Sequence, residues 1–360
     1  MKKLALIIAF SPAFVSTAQE TSEATGIKLV KAITCSPVQD QYMSSTCWSF
    51  AGNSFLESEL FLKTGQRINL SEMFVARYSY INKIQQYLAQ SGKTFFTPGG
   101  QFHDILKVIK QYGIVPETEY SGRPHGEQDH NQAMLDTLMF HFAQSLLKQG
   151  KTKPAKEDLA YMNKILDQWL GKVPATFVYK GKTYTPLGFT KNVLRFNADD
   201  FIELTSYTHQ PFYQYFVLED KYNWTKDHYY NIPLADLMQI TDSALANGYT
   251  VCWDGDVTET GFMYENGMAK LDYTVTDFIT ERQKTYDNKS STIDHLMQVT
   301  GTAVDNHNGS WYYIKNSWGD YSNKLGGYLY MQQDYFKIKT IAIIVNKKAI
   351  PAALRKKMKF

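Results

Sequence analysis

Helical and strand-like patterns are segregated along this chain, and that segregation constrains its fold more than any other feature. Apolar residues recur at helical spacing over 47–65, where Gly65 is placed as a C-terminal cap. The C-terminal part instead carries short, β-rich apolar runs separated by Gly, Asn and Asp, at 296–302, 311–315, 327–331 and 340–346. This order predicts an α+β fold with two lobes, a helical N-terminal lobe and a β-rich C-terminal lobe.

Further helices are predicted on either side of a long middle region. Ser71 is placed to cap a second helix that runs to about Ile84, and a third extends from about 100 to Gly113. Residues 125–240 are polar and aromatic, with helical stretches at 131–147 and 157–170, and they predict a mostly helical insertion between the lobes. A helix ending at Ala246 and a strand at 249–253 follow.

The N-terminus has the pattern of a secretory signal peptide. Lys2 and Lys3 precede the apolar run 4–10, and small residues lead to Ala18, after which we expect cleavage. A short buried helix is the alternative. The pattern predicts an exported protein, periplasmic or secreted, and no second long apolar run suggests a membrane span. The predicted domains are a signal peptide at 1–18, a helical lobe at 19–124, the insertion at 125–240 and a β-rich lobe at 241–360.

The charge balance argues against one class of partner. The chain has 38 basic and 35 acidic residues, so the net charge is only +3. Its most basic run, 355–359, is too short for a nucleic-acid footprint. We therefore expect no nucleic-acid partner.

The cysteine count leaves at least one thiol unpaired. The three cysteines are Cys35, Cys47 and Cys252. Cys47 stands at the start of a predicted helix, where the helix dipole favours a thiolate, although a lone cysteine is more often an ordinary buried residue. Cys252 lies in an apolar strand and is expected to be inert, and a Cys35–Cys252 disulfide stays open as an alternative.

Three segments together resemble the active-site motifs of papain-like cysteine peptidases. Gln41 stands six residues before the pair Cys47–Trp48. Downstream, residues 293–296 resemble the histidine segment of that family around His295, and residues 314–319 resemble its asparagine segment around Asn316. The segment 98–100 resembles the glycine pair of its substrate cleft. The closer resemblance is to the bleomycin hydrolase and aminopeptidase C subfamily, which also has a large insertion between the lobes.

The resemblance implies a papain-like fold and a role for each matching residue. Cys47 would be the nucleophile, His295 its base, Asn316 the group that orients the histidine, and Gln41 a donor to the oxyanion. Gly99, Gly100 and Trp318 would line the substrate site. The implied activity is a thiol peptidase acting on peptides, with no metal or cofactor and, by analogy, a hexameric assembly.

The sequence constrains the substrate specificity less than it constrains the chemistry of the reaction. An aminopeptidase is expected, but the tail after Pro351 is short compared with the C-terminal arm that enters the cleft in bleomycin hydrolases, so an endopeptidase is an alternative. A papain-fold binding protein without catalytic activity is a further alternative. Ser45 also replaces a glycine that papain uses in its cleft.

Two other groups of residues have no motif around them. The tyrosine-rich stretch 207–230 is expected to pack in the core or at an interface, with stacking on a sugar or peptide as the alternative. The remaining histidines considered are expected to be structural or solvated; these are His103, His125, His130, His209, His228 and His307.

Overall fold

A computed structural model describes residues 25–360 of the chain. The predicted signal peptide lies outside this range, so the structure does not test it. Within 25–360, no helix combines the length and apolar character needed to cross a membrane.

The helical lobe is built as the sequence patterns predict. It follows strand β1 (Ile27–Ala32) and contains α1 (Cys47–Thr64), α2 (Glu72–Ala89) and α3 (Phe102–Tyr112). Helix α1 ends because Gly65 adopts φ 68°, a left-handed conformation that glycine adopts without strain. Helix α2 starts at Ser71, whose hydroxyl accepts a hydrogen bond from the backbone N–H of Phe74 at 3.0 Å.

The middle of the chain is helical only in its first half. There, α4 (Ala133–Lys148) and α5 (Lys156–Leu170) precede the hairpin β2 (Phe177–Tyr179) and β3 (Lys182–Tyr184) and the short α6 (Pro186–Phe189). The second half instead forms β4 (Phe201–Thr205), β5 (Gln214–Val217) and β6 (His228–Asn231). The prediction of a mostly helical insertion is therefore wrong for 201–231, where strands find partners in the main sheet.

The C-terminal part alternates strands and helices. After α7 (Leu234–Ala246) come β7 (Val251–Gly255), β8 (Phe262–Met263), β9 (Met268–Ala269) and α8 (Phe278–Asp287). The remaining elements are β10 (His295–Asp305), β11 (Ser310–Lys315), β12 (Tyr328–Gln332), α9 (Gln333–Lys339), β13 (Thr340–Asn346) and α10 (Ala352–Met358). The four β-rich runs of the sequence correspond to β10 to β13.

Most strands join one mixed, 11-stranded sheet with the order β5-β6-β4-β13-β7-β10-β11-β12-β9-β8, and β1 also pairs with β10. Strands β10 and β13 both pair antiparallel with β7, which places β7 near the centre. Central strands that are covered on both faces must be apolar on both sides. This explains the apolar run of β13, whereas β7 and β10 each carry a buried polar residue, Asp254 and Gln298, among apolar ones.

Each face of the sheet packs against its own hydrophobic core. Cys252, Leu296 and Ile344 point to the face covered by the helical lobe, where they join the core of α1, α2, α3, α4 and α5. Their neighbours Trp253, Met297 and Ile343 point to the opposite face, against α7, α9 and α10. This alternation follows from the two-residue period of a strand. It brings the N-terminus of α1 against the start of β10.

Candidate active site

Cys47 is the first residue of α1 and is half-buried at the boundary of the two lobes. The turn before Cys47 is held by a hydrogen bond between two side-chain hydroxyl groups, Ser44 Oγ and Thr46 Oγ1, which are 2.6 Å apart. Ser45 has φ 54°, in the left-handed region where a residue with a Cβ is strained. A glycine would adopt this conformation without strain, whereas here a serine adopts it.

His295 and Asn316 meet through a buried hydrogen bond. His295 is the first residue of β10, and Asn316 directly follows β11, its neighbour in the sheet. The His295 Nε2 and Asn316 Oδ1 atoms are 2.7 Å apart, and the two residues are 4% and 3% exposed. Because Asn316 Oδ1 also accepts from the Ser317 N–H at 2.8 Å, Nε2 is the protonated nitrogen of the imidazole. Nδ1 is then the free base.

Trp318 covers the histidine. Its ring lies 4.9 Å from the His295 ring, centroid to centroid, at an interplanar angle of 36°. Tyr264 also packs edge-on against Trp318, with the ring centroids 4.7 Å apart. The indole therefore shields the histidine–asparagine pair from water, and Trp318 also lines the cleft.

Gln41 is held beside the same loop. Its backbone N–H donates to the carbonyl of Ser317 at 2.8 Å, and its side-chain Oε1 accepts from the Ser317 hydroxyl at 2.7 Å. With Oε1 engaged, the Nε2 group is left to donate into the cleft. The backbone N–H of Cys47 is also free of an intrahelical partner, since it belongs to the first turn of α1. These two donors can converge on one oxygen.

Gly99 and Gly100 form the opposite wall of the site. The Trp48 indole N–H donates to the carbonyl of Pro98 at 2.9 Å, which holds this loop against α1. A Cβ on Gly100 would lie 2.9 Å from the Trp48 ring, and one on Gly99 would lie 2.6 Å from the Tyr222 ring. Glycine is therefore required by close packing, and it leaves the backbone open toward the cleft.

The predicted residues share one cleft of about 420 Å³. Six of them line it directly, and these are Gln41, Cys47, Gly99, Gly100, His295 and Trp318. Asn316 lies behind the histidine. The sequence patterns did not identify Tyr222, Ile293 and Asp294, which also line it. Tyr222 belongs to the tyrosine-rich stretch 207–230, of which Tyr207 and Tyr229 are buried in the core; the stretch thus contributes both to packing and to the cleft.

The pKa values of Cys47 and His295 are shifted toward their neutral forms. Burial raises the pKa of the Cys47 thiol to about 12, and the nearby carboxyls of Asp254 and Asp294 act in the same direction. Backbone hydrogen bonds from Leu296 and Trp48 oppose that rise in pKa. Burial lowers the pKa of His295 to about 4, against the effect of its hydrogen bond to Asn316. The unprotonated imidazole can therefore accept a proton at neutral pH.

Two carboxyl groups near the cleft also have unusual pKa values. Burial raises the pKa of Asp294 to about 7, with a further contribution from Asp256. Burial also raises the pKa of Asp254 well above its usual value, and nearby Asp220, Glu203 and Asp294 add to this rise. An aspartate inside the apolar strand β7 is the sequence signal that identifies Asp254. Among residues 25–360, no His, Cys, Asp and Glu side chains form a group of three or more that could hold a metal.

The other two cysteines do not form a disulfide. Cys35 and Cys252 both carry free thiols. Cys252 is fully buried in β7, as predicted for an inert thiol, and burial raises its pKa well above the usual range. The disulfide alternative is thus not realised in the structure.

Comparison with known proteins identifies the family. A family model described as "Peptidase C1-like family" matches residues 11–360. Aminopeptidase W of Lactobacillus delbrueckii subsp. lactis is 26% identical over 290 residues, which cover 72% of this chain and 65% of that protein. Aminopeptidase C of Listeria innocua is 25% identical over 366 residues, covering 88% of this chain and 81% of that protein.

Two further relatives extend the comparison. Mitochondrial cysteine proteinase 1 of Saccharomyces cerevisiae is 23% identical, covering 89% of this chain and 77% of that protein. The crystal structure of PepW from Lactobacillus rhamnosis has a TM-score of 0.70 and 20% identity, covers 94% of this chain and 86% of that chain, and so confirms the fold. The chain therefore belongs to the Peptidase C1-like family, that of bleomycin hydrolase and aminopeptidase C.

Proposed function

We propose that the protein is a cysteine peptidase that cleaves peptide bonds through a covalent acyl-enzyme at Cys47. The observation that carries this proposal is the buried His295–Asn316 hydrogen bond of 2.7 Å beside a cysteine at a helix N-terminus, in a cleft open to solvent. The site supplies a nucleophile, a base, a group that orients the base and two donors for an oxyanion. These are the parts that acyl transfer requires.

The proposed reaction assigns one proton to each step. The Sγ–carbon bond forms while the thiol proton passes to His295 Nδ1, and the carbonyl oxygen becomes an oxyanion held by Gln41 Nε2 and the Cys47 N–H. Collapse of this intermediate breaks the peptide C–N bond, and the leaving amine takes the proton from His295. Water then attacks the thioester, gives a proton to His295 and releases the carboxylic acid product. The proton returns to the thiol.

Selective alkylation tests the nucleophile. In the wild-type protein, iodoacetamide is expected to label Cys47 faster than Cys252, because only Cys47 has access to the cleft and a base beside it. Cys47→Ala is expected to abolish peptide cleavage, and Cys252→Ala is the matched control that retains it. Equal labelling of all thiols together with no cleavage by the wild type would assign the protein to the inactive, binding-only alternative. Activity in Cys47→Ala would exclude Cys47 as the nucleophile.

An aminopeptidase is the proposed specificity. The relatives at 21–26% identity include aminopeptidases W, C and G, which supports removal of residues from a free N-terminus. The test compares one peptide with its N-acetylated form. An aminopeptidase cleaves the free-amine peptide at its first bond and leaves the acetylated form intact.

An endopeptidase is the second candidate, and the position of the C-terminal residues favours it. Leu354 and Met358 of α10 are buried on the face of the sheet opposite to α1. The Phe360 ring packs against Tyr230 at 5.3 Å, and no residue from 352 to 360 lines the cleft. In this structure, the C-terminal segment therefore does not block the cleft. Internal cleavage of the acetylated peptide would establish this activity.

Export and assembly stay predictions. N-terminal sequencing of the protein from the cell envelope or culture medium is expected to start at Gln19 if the signal peptide is cleaved as predicted. The hexamer proposed by analogy is tested by light scattering of the purified protein.

A further inference from the structure

Lys83 on α2 is a buried lysine that lies behind the glycine wall of the cleft. It is only 2% exposed, and lysines are almost never fully buried unless their charge is compensated. Burial lowers the pKa of Lys83 to about 8, against the effect of Asp104 and Asp136, so the ammonium form still prevails at neutral pH. A charge kept in the interior of the helical lobe needs an explanation.

The hydrogen bonds of Lys83 go to the backbone of this wall. Lys83 Nζ donates to the carbonyl of Thr97 at 2.6 Å and also to the carbonyl of Gly99. Thr97 and Gly99 line the cleft together with Gly100, whereas Lys83 is not among the residues that line it. Hydrogen bonds from a charged donor are about twice as strong as neutral ones, so the ammonium group anchors this segment firmly. The anchor acts from the side of the segment that faces away from the cleft.

Two indole rings hold the ammonium group in place. The ring centroids of Trp48 and Trp224 each lie 5.7 Å from Lys83 Nζ. A cation at this distance is attracted by the ring electrostatically. Trp48 also donates its indole N–H to the carbonyl of Pro98 at 2.9 Å. The carbonyls of residues 97–99 are therefore all turned toward the helical lobe.

The direction of the Gly99 carbonyl decides the direction of the next N–H group. In a trans peptide, the C=O of one residue and the N–H of the next point in opposite directions, and no peptide bond within residues 25–360 is cis. Because the Gly99 carbonyl is bonded to Lys83, the Gly100 N–H points the other way, toward the cleft. In the described part of the chain, this N–H forms no hydrogen bond to another backbone group. It is therefore available to an acceptor that enters the cleft.

A peptide in the cleft brings such an acceptor to this wall. In the proposed reaction, Gln41 and the Cys47 N–H hold the oxygen of the scissile carbonyl, and the leaving amine faces His295. The part of the substrate before the scissile bond therefore extends toward the opposite wall, where Gly99 and Gly100 lie. The first carbonyl of that part belongs to the residue, or to the blocking group, that precedes the residue under attack.

We propose that Lys83 is a positioning residue for substrate binding, which holds the Gly99 carbonyl so that the Gly100 N–H donates to that preceding carbonyl. This inference rests on the proposed peptidase function and deepens it, because it names the substrates that gain affinity from the wall. These are peptides in which another acyl group precedes the residue under attack, as in an internal segment or an N-acetylated peptide. Lys83 acts through the glycine wall and not on the reacting atoms.

The kinetic test replaces Lys83 by methionine, which has a similar length but no donor, in the full-length protein. Lys110→Met, at an exposed position on α3, is the matched control. For N-acetyl-alanyl-aminomethylcoumarin, Lys83→Met is expected to raise KM about three- to tenfold through the loss of one hydrogen bond, with kcat within about twofold. Alanyl-aminomethylcoumarin has no carbonyl before its alanine, so its KM is expected to stay within about twofold. If the acetylated compound binds without being cleaved, its Ki as an inhibitor of alanyl-aminomethylcoumarin cleavage replaces KM.

A binding test by NMR separates this proposal from the proposed function. Gly100 and Gly327 are the only glycines that follow another glycine, so in protein made with 13C-carbonyl, 15N-glycine only their N–H groups are coupled to a labelled carbonyl. In Cys47→Ala protein, N-acetyl-alanyl-alaninamide is expected to shift the Gly100 N–H resonance. Gly327, whose N–H donates to Asn323 Oδ1 at 3.0 Å, is the internal control. Lys83→Met in the same background is expected to reduce the shift at equal peptide concentration.

The two tests fail in different ways. If the wild type cleaves nothing but the Gly100 resonance responds to the peptide, and responds less in Lys83→Met, the peptidase function fails and the role of Lys83 stands. A Gly100 resonance that does not respond to the peptide would overturn the proposal even if cleavage is observed, and this result does not require that Lys83→Met folds. An equal change in KM for both coumarin substrates, or no change for either, would also overturn it. Thermal unfolding of each variant establishes that it is folded.

Discussion

Gln41 contributes to the site through the hydrogen bond that orients its amide. Ser317 Oγ donates to Gln41 Oε1 at 2.7 Å, so the Nε2 group is directed into the cleft. A free side-chain amide would sample both orientations and would present a donor only part of the time. Ser317 thereby links Gln41, the proposed oxyanion donor, to the loop that also carries Asn316.

Replacing Gln41 is expected to affect the reaction and not the fold. Gln41→Ala removes one donor to the oxyanion, and the expected loss in kcat is about 10²- to 10³-fold. Gln39→Ala is the matched control, since that glutamine lies on the same segment and does not line the cleft. Steady-state kinetics on both variants provide the measurement. An unchanged kcat in Gln41→Ala would exclude the amide from the oxyanion site.

The acid limb of the pH–rate profile is expected near pH 4, where His295 becomes protonated and can no longer accept the thiol proton. The measurement is kcat/KM from about pH 3 to about pH 8 in Asp294→Asn, whose side chain does not titrate. Because the hydrogen bond to Asn316 raises the pKa of His295, Asn316→Ala in that background is expected to move the limb to lower pH. Circular dichroism at each pH checks that the protein is folded. A limb at the same pH in both variants would argue against the role of Asn316.

At the scale of elements, buried charges join α3 to the strands of the middle region. His103 Nδ1 lies 2.9 Å from Glu203 Oε2 on β4, and His103 Nε2 lies 3.4 Å from Asp227 Oδ2 just before β6. Burial alone would lower the pKa of His103, but Glu203, Asp104 and Asp227 outweigh it and raise the pKa to about 9. The histidine that the sequence suggested to be structural is thus a charged link between the helical lobe and the sheet.

Removal of this link is expected to destabilise the protein in a pH-dependent way. His103→Ala leaves Glu203 without its cation, and the expected loss in the free energy of unfolding is about 3 kcal/mol. The folded-state pKa of about 9 exceeds the unfolded-state value of 6.5. The stabilisation is therefore complete just below pH 6.5 and disappears as the pH rises through about 9.

Urea unfolding of wild type and His103→Ala at several pH values measures this difference. His141→Ala, an exposed histidine on α4, is the matched control. The difference between wild type and His103→Ala should shrink between about pH 7 and about pH 10. A difference that is constant over this range would show that His103 acts only by packing.

The boundaries of the first two helices could be predicted from the sequence, but the strands of the middle region could not. The boundaries of α1 and α2 could be predicted because Gly65 and Ser71 are local signals that act within one turn. The strands β4, β5 and β6 could not, because their pairing depends on residues far along the chain. Strand β4 pairs with β13, where Leu204 lies opposite Ile343. When its strand partner is not known, a tyrosine-rich segment is equally compatible with a loop.

At the scale of the whole molecule, a buried polar network fixes α1 on the sheet. Ser54 Oγ on α1 donates to Gln298 Oε1 at 2.6 Å, and Gln298 Nε2 donates to Ser58 Oγ at 2.8 Å. The Lys315 ammonium group donates to Ser54 Oγ at 2.6 Å. Because Gln298 lies on the same strand as His295, this network fixes the position of α1, and hence of Cys47, relative to His295.

Loss of this network is expected to reduce both stability and activity. Gln298→Ala removes the acceptor of the Ser54 hydroxyl and the donor to Ser58 Oγ, at a cost of about 2–3 kcal/mol in the free energy of unfolding. A lower kcat is expected as well, because α1 is less firmly held against β10. Gln149→Ala, at an exposed position after α4, is the matched control. Urea unfolding and steady-state kinetics measure the two effects; a loss of stability at constant kcat would show that the network does not position the nucleophile.

By itself, the sequence predicted the α+β fold class and the candidate reactive residues. Cys47, His295 and Asn316 each lie in a short segment that resembles a family motif. The structure places Cys47 and His295 on one cleft, with Asn316 hydrogen-bonded to His295 behind it. Only the tertiary structure decided what surrounds them. Asp254 is beneath the cleft because β7 pairs with β10 in one particular register, and a shift by one residue would move its side chain to the other face of the sheet. Register depends on contacts between distant segments, which no local pattern contains.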